Sequence, residues 1–156
     1  MSSAGAWVLT FGDFGGVRAA VGVREQVHLM LEPEAAEVAG TPAHCRHVIF
    51  WNGRCVPVMD LSRWLDAVTT ATAPPNRRRH LGVYAYQTEA NAAVEFGALW
   101  LARPPQRIEV DDEAAASLPM DSARWADVAS ACFTDAAGAV PVLDLSRVFS
   151  GALAGA

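Results

Sequence analysis

The sequence has no lysine, and this absence limits the partners that the protein can have. All twelve basic residues are arginine, against 17 acidic residues, and the formal net charge is −5. Nucleic acids bind to clustered positive charge, so no nucleic-acid partner is expected. Alanine is abundant, at 30 of 156 residues. We interpret the two biases together as a genomic composition effect without functional meaning.

Long hydrophobic runs are also absent. A membrane-spanning helix needs about 18 consecutive apolar residues, whereas the longest apolar runs, such as 48–51, have the length of a strand. The N-terminal residues carry neither the positive charge nor the apolar segment of a secretory signal. The sequence therefore predicts a cytoplasmic protein with no direct membrane insertion, whose only membrane association would come through a partner.

Cysteine is scarce, with Cys45, Cys55 and Cys132 only, and no C-x-x-C pair is present. An odd count without such pairs argues against a disulfide framework. His44, Cys45, His47 and Cys55 could be considered as metal ligands, but neighbouring side chains on a strand diverge. A cysteine–histidine nucleophile from the same group would lack a third, orienting residue. We therefore predict free thiols, no metal and no cofactor.

One internal repeat dominates the sequence. Val56–Arg63 returns as Val140–Arg147 with seven of eight positions identical, the exception being Met59 against Leu143. Two copies of such a segment indicate a duplication, and a duplication determines the architecture. We expect two halves with similar structures.

The repeat also predicts local structure. Pro57 and Pro141 lack an amide hydrogen, so each belongs at a strand start, a sheet edge or a bulge. Asp60 and Asp144 then precede apolar residues at helical spacing, where an aspartate can cap a short helix. An aspartic-protease-like carboxylate pair is the enzymatic alternative. That chemistry requires a glycine-containing turn after each aspartate, whereas leucine follows both, so we predict caps and no catalytic residue.

The remaining segments indicate short strands separated by turns. Small β-barrels are built from such strands, and we predict two of them with a pseudo-twofold relation. Asn52-Gly53 favours a tight hairpin, and Trp64 is predicted to lie in the core on a short helix. The predicted first half covers about 7–68, the connector about 69–79, the second half about 80–150 and a frayed tail 151–156. Within them we predict a strand over 7–14, a turn at Gly15-Gly16, one longer strand over 17–31, and strands over 80–87 and 92–101.

Four segments resemble the signature of CheW-like adaptor domains. They are Ile49–Leu61 with its V-P-V-x-D-L, the closing Val140–Leu145, the early strand Val21–Val27, and Phe96–Trp100 at the start of the second half. The resemblance covers about residues 7–150. It implies a fold of two five-stranded β-barrels around a shared hydrophobic core, with a few short helices.

The same resemblance implies a function. CheW-like adaptors are non-enzymatic scaffolds in chemotaxis signal transduction, and they couple chemoreceptors to a histidine kinase of the two-component type. The expected partners are the regulatory domain of the kinase, itself a homologous domain, and the cytoplasmic tip of the receptor, a helical hairpin that packs between the barrels. The candidate partner-binding residues are Val27, His28, Asn52, Gly53 and Arg54.

Several of these positions depart from the family pattern. Asn52 stands where the family turn has arginine, His28 where an acidic residue is common, and His47 where glycine is usual. Trp100-Leu101 replaces the usual valine and aspartate. These departures suggest a non-flagellar pathway, such as a chemosensory pili system. Alternatives are a CheW-like scaffold or inhibitor without receptor binding, a small-ligand sensor, and the duplicated-aspartate hydrolase.

Overall fold

The computed structural model describes residues 3–11, 17–31, 33–41, 43–65, 80–119 and 124–149, which form two mixed β-sheets and a few short helices. The strands are β1 Ser3–Phe11, β2 Val17–Gly22, β3 Gln26–Leu31, β4 Ala36–Glu37, β5 His47–Trp51, β6 Arg54–Met59, β7 His80–Tyr86, β8 Glu95–Leu101, β9 Gln106–Asp111, β10 Ala129–Asp135 and β11 Gly138–Leu143. The α-helices are α1 Leu61–Leu65, α2 Trp125–Val128 and α3 Leu145–Val148, and 3₁₀ helices cover Ala43–Cys45 and Asp112–Ala114.

The two halves of the chain exchange strands. Sheet 1 has the order β10-β11-β2-β1-β9, and sheet 2 has the order β3-β7-β8-β6-β5-β4. Each sheet therefore combines the first hairpin of one half with the third strand and last hairpin of the other. The hairpins join through parallel pairs, Val142 with Ala20 in sheet 1 and Val58 with Ala98 in sheet 2. The predicted halves, about 7–68 and about 80–150, thus do not coincide with the two sheets, although their exchange has the symmetry of a pseudo-twofold.

The predicted mainly β fold with a few short helices is confirmed. Sheet 1 has the five expected strands, whereas sheet 2 gains a sixth in the two-residue β4. The single long strand predicted over 17–31 is wrong, because a turn at 23–25 divides it between the sheets. The Glu25 carboxylate stabilises that turn by accepting a hydrogen bond from the Gly22 amide at 2.7 Å. The Gly15-Gly16 turn, the connector and the tail lie outside the described residues.

Both sheets are strongly curled. In sheet 2, four residues join β3 at one edge to β4 at the other. They span at most about 18 Å, whereas six flat strands would extend about 24 Å. In sheet 1, the chain beyond β9 returns to β10, where Ala115 bridges Phe133 and the Ala116 amide donates to the Cys132 carbonyl at 2.9 Å. These connections bring the edges of each sheet toward one another, so the sheets approach the predicted barrels without each forming a closed one.

Strand alternation distributes the apolar side chains over three clusters. In β1, Val8 points to one face of sheet 1, while Leu9 and Phe11 point to the other. One face of each sheet carries a small apolar cluster of its own. The opposite faces of the two sheets contribute to a larger shared cluster, which we call the central core. Apolar residues of the helices also pack in the central core. The fully buried members of the central core include Leu9, Phe11, Val21, Leu61, Tyr84, Leu99, Val128 and Val148.

The octapeptide forms the same helix start twice. Asp144 is the N-cap of α3, and Asp60 occupies the same position before α1. The backbone amide three residues later donates to each carboxylate, at 3.3 Å for Asp60 and 3.4 Å for Asp144. The serine hydroxyl two residues later also donates, at 2.9 and 2.8 Å. The repeated motif therefore encodes a cap supported by its own serine.

Removal of either cap should destabilise the protein modestly. We expect Asp60→Ala and Asp144→Ala each to lower the free energy of unfolding by about 1 kcal/mol, because amide donors at the helix start lose their acceptor. Urea denaturation measures the loss. Asp60→Asn is the matched control, since asparagine also caps helices and should retain most of the stability. A hydrolytic activity that disappears in a stably folded Asp60→Asn protein would contradict the capping role.

Candidate partner-binding surface

The tip of the β5–β6 hairpin is a two-residue turn. Asn52 and Gly53 have φ angles of 50° and 73° and connect Trp51 to Arg54, which face each other across the strand pair. Positive φ at both central positions is typical of a type I′ turn, and asparagine and glycine tolerate it best. The tight hairpin predicted from Asn52-Gly53 is therefore present, with both turn residues exposed.

Strand β3 contributes the second part of the surface. Its pairing with β7 shifts between Gln26 and His28, so Val27 has no register partner. Such a bulge redirects side chains at a sheet edge, and Val27 and His28 are both exposed. The turn before β3 is fixed by Glu25, whose pKa is raised by burial and, to a lesser extent, by the charge of Asp144.

Aromatic rings connect the edge strand to the hairpin tip. The His28 ring lies 6.1 Å from the Trp51 ring, and Trp51 lies 5.1 Å from Phe96 of β8. The guanidinium carbon of Arg54 lies 5.0 Å from the centre of the Phe96 ring. We call His28, Trp51, Phe96 and Arg54 the aromatic rim.

The aromatic rim brings the predicted residues together. His28 and Arg54 belong to it, the turn residues Asn52 and Gly53 separate Trp51 from Arg54, and Val27 lies on the bulge beside His28. Sequence reasoning did not include Trp51 or Phe96 among the binding residues. Strand alternation, which places Trp51 of β5 and Phe96 of β8 on the same face of sheet 2, was the signal present in the sequence. The contact between His28 of β3 and Trp51 of β5, however, depends on the curl of sheet 2.

The corresponding position in sheet 1 has a different chemistry. Asp135 occupies the place of Trp51 beside the turn of the β10–β11 hairpin. Arg18 of β2 donates two hydrogen bonds to its carboxylate, at 2.6 and 2.9 Å, and thereby holds the pKa of Asp135 below its usual range. By contrast, among the residues that the structure describes, no carboxylate forms an ion pair with Arg54. Within the described part of the chain, the cation beside the sheet 2 turn is thus held by the Phe96 ring and by no carboxylate.

Two departures from the family pattern contact each other. The ring of His47 meets the ring of Trp100 edge-on, with 5.7 Å between the centroids. Both residues are half-buried, and their rings pack against each other. Leu101, which follows Trp100 in the pair that departs from the family pattern, is buried in the central core. These substitutions therefore affect the interior of the fold, whereas His28 and Asn52 are exposed.

In the described residues, the geometry does not support the enzymatic alternatives. The carboxylates of Asp60 and Asp144 each accept hydrogen bonds from their own motif. In an aspartic protease, by contrast, the two carboxylates lie together and share one proton. Burial raises the pKa of the Cys45 thiol, which disfavours the thiolate that a nucleophile needs. Over the described ranges, no three His, Cys, Asp or Glu side chains converge as metal ligands.

The helices are short as well. None in the described part of the chain has the length and apolar character that crossing a membrane requires.

Comparison with known proteins agrees with the fold and the motifs. A search of curated proteins by sequence found no match. The solved structure of the scaffolding protein TtCheW from Thermoanaerobacter tengcongensis is similar in fold, with a TM-score of 0.70 at 10% identity over 96% of this chain and 94% of that one. The family model for the CheW-like domain matches residues 17–152. Since this match covers most of the sequence, the chain belongs to the CheW-like domain family, whose scaffold proteins are non-enzymatic.

Proposed function

We propose that this protein is a cytoplasmic adaptor that couples the cytoplasmic tip of a chemoreceptor to the regulatory domain of a chemotaxis-type histidine kinase. The observation that carries the proposal is the aromatic rim, where rings connect an edge strand to the hairpin tip and where the exposed Arg54 has no ion pair with another described residue. On this proposal the surface binds a partner and catalyses no reaction. The departures at His28 and Asn52 favour a non-flagellar pathway, such as a chemosensory pili system.

Arg54 is the central residue of the proposed receptor contact. Asn52 lacks the charge of the family's turn arginine, but Arg54 places a guanidinium beside the same turn, stacked on Phe96. An acidic side chain on the receptor helix would pair with it, and Val27, 42% exposed, would supply the apolar contact beside it. Arginine in this setting is a common anchor of protein interfaces.

Calorimetry with the two expected partners tests the proposal. We expect binding of both the kinase regulatory domain and a receptor-tip fragment from the same organism. Arg54→Glu should weaken receptor-tip binding at least about ten-fold, because one attractive charge pair becomes repulsive. Arg107→Glu is the matched control: this exposed arginine of β9 lies in sheet 1, beside Glu109, and its substitution should leave binding unchanged.

The possible outcomes separate the two candidate functions. No binding to any kinase regulatory domain would overturn the adaptor role. Kinase binding without receptor binding would favour the alternative scaffold or inhibitor, for which the missing turn arginine at Asn52 is the specific observation. Equal losses in Arg54→Glu and Arg107→Glu would show that general charge, and not the aromatic rim, determines receptor affinity.

A further inference from the structure

Each sheet has a seam, the line along which its two hairpins meet as parallel strands. In sheet 1, β11 and β2 are in register at Val142 and Ala20. In sheet 2, β6 and β8 are in register at Val58 and Ala98 and at the pair after them. Toward the hairpin turns, these four fully described strands have no further register pair across a seam. Backbone pairing therefore closes only part of each seam.

The internal duplication identifies equivalent positions on both sides of each seam. The octapeptide valines that register across the seams are equivalent, so the alanines opposite them are equivalent as well. Two residues before these alanines, the strands carry Phe96 in sheet 2 and Arg18 in sheet 1. Phe96 contacts Trp51, and Arg18 contacts Asp135, the equivalent of Trp51. The aromatic contact and the ion pair thus join the same two positions with different chemistry.

Both contacts lie beside the small apolar cluster of their sheet. Strand alternation places Arg18 on the same side as Ala20. It also places Asp135 on the same side as Phe133, and Ala20 and Phe133 both belong to the cluster of sheet 1. In sheet 2, Trp51 and the ring that it contacts pack against the cluster of that sheet. The two contacts are therefore equivalent in surroundings as well as in position.

The ion pair joins two strands that are not neighbours, because β11 lies between β2 and β10. Two hydrogen bonds of 2.6 and 2.9 Å connect the guanidinium to the carboxylate, a bidentate geometry that makes such pairs strong. The side chains of Arg18 and Asp135 are 23% and 30% exposed. Solvent therefore screens them less than Arg107 and Glu109 of the same sheet, which are 60% and 62% exposed and 3.8 Å apart.

We propose that Arg18 and Asp135 form an ionic clasp that keeps the seam of sheet 1 closed, and that this seam opens locally when the clasp loses its charge. One register pair would then remain between β11 and β2, and the buried Phe133 and Val140 of the small cluster would become accessible. The seam of sheet 2 keeps an uncharged contact between rings. Charge and salt therefore act on one seam and not on the other. The inference does not depend on the proposed adaptor function.

Hydrogen exchange followed by mass spectrometry tests the clasp. Asp135→Asn removes the charge but keeps an oxygen for the Ala137 amide, which donates to Asp135 at 2.9 Å. We expect exchange in β2 and β11 to become about ten-fold faster, with β5 and β6 unchanged. Arg107→Gln is the matched control, because it removes the exposed ion pair of the same sheet, and exchange at the seam should stay as in the wild type.

Transfer of the aromatic contact into sheet 1 gives a second test. Arg18→Phe alone should open the seam as Asp135→Asn does. Arg18→Phe combined with Asp135→Trp installs the two residues of the equivalent positions, so exchange in β2 and β11 should be slower than in Arg18→Phe alone. About 1 M sodium chloride, which shortens the Debye length to about 3 Å, should speed seam exchange in the wild type and leave it unchanged in the double variant.

Three results would overturn the inference. The first is seam exchange that is the same in Asp135→Asn as in the wild type, or the same in Asp135→Asn as in Arg107→Gln. The second is exchange that rises equally in β2, β11, β5 and β6, since the pair would then stabilise the whole fold and not one seam. The third is a folded double variant that exchanges as fast as Arg18→Phe. Asp135→Asn hardly changes the side-chain volume, so it decides the question even where the double variant does not fold.

Discussion

Replacement of Trp64 by alanine should lower the free energy of unfolding by about 4 kcal/mol, because a large ring leaves a cavity that its neighbours cannot fill. Trp64 of α1 is 3% exposed in the central core, at the position that the sequence predicted for it. The guanidinium carbon of Arg124, from the other half of the chain, lies 5.0 Å from the centre of its ring. The same arginine donates to the Trp64 carbonyl at 2.9 Å, and Trp64→Ala would leave its guanidinium without a ring to cover.

Val148→Ala is the internal comparison for this prediction. Val148 follows the second octapeptide as Trp64 follows the first, and it is 1% exposed in the same core. The substitution Val148→Ala removes far less volume than Trp64→Ala, so we expect it to lower the free energy of unfolding by about 2 kcal/mol. Urea denaturation of both variants measures the difference. If the two losses were equal, the central core would not depend on Trp64 more than on its equivalent.

Gly82→Ala should cost about 3 kcal/mol, which is large for the addition of one methyl group. Gly82 and Tyr84 lie on the same face of β7, and the Tyr84 ring folds back over the glycine. A Cβ at position 82 would overlap the Tyr84 hydroxyl and lie 2.6 Å from the ring carbon that carries it. Tyr84 is fully buried and cannot move aside. Its hydroxyl donates to the Gln26 side chain at 3.3 Å, and burial raises its pKa, so it remains neutral.

A double-mutant cycle identifies the cause of the Gly82→Ala effect. Tyr84→Phe removes the atom nearest to the added methyl group, together with the bond to Gln26. The double variant should therefore lose less stability than the sum of the two single variants. Purely additive losses in urea denaturation would show that glycine is required at this position for another reason.

The features that the sequence predicted well are local ones. The Asn52-Gly53 turn and the aspartate caps depend on residues within four positions of each other, so their signals are contained in short segments. The break at 23–25 was missed because Val21, Val23 and Val27 alternate as in one strand, whereas the turn held by Glu25 and pairing with different sheets separate β2 from β3. The exchange of strands between the halves depends on long-range pairing, which a repeat does not specify.

The candidate partner-binding surface illustrates the same limit. Its outer members, Val27, His28 and Arg54, were predicted from the resemblance to the family. The rings that join them, Trp51 and Phe96, are 45 residues apart in the sequence and meet only because sheet 2 is curled. Residue type alone could not distinguish Trp51 in the aromatic rim from Trp64 in the central core.

The exchange of strands has a consequence for how such a molecule could have arisen. Half of this chain, on its own, would lack the partner hairpin that completes either sheet. Two such half-length chains could satisfy all their strand pairings only by intertwining as a symmetric pair. Joining them head to tail would make an encounter between two molecules into a closure within one, and the high effective concentration of tethered parts would favour assembly. Once joined, the two parts were free to diverge, one acquiring an aromatic surface and the other an internal ion pair at the same turn.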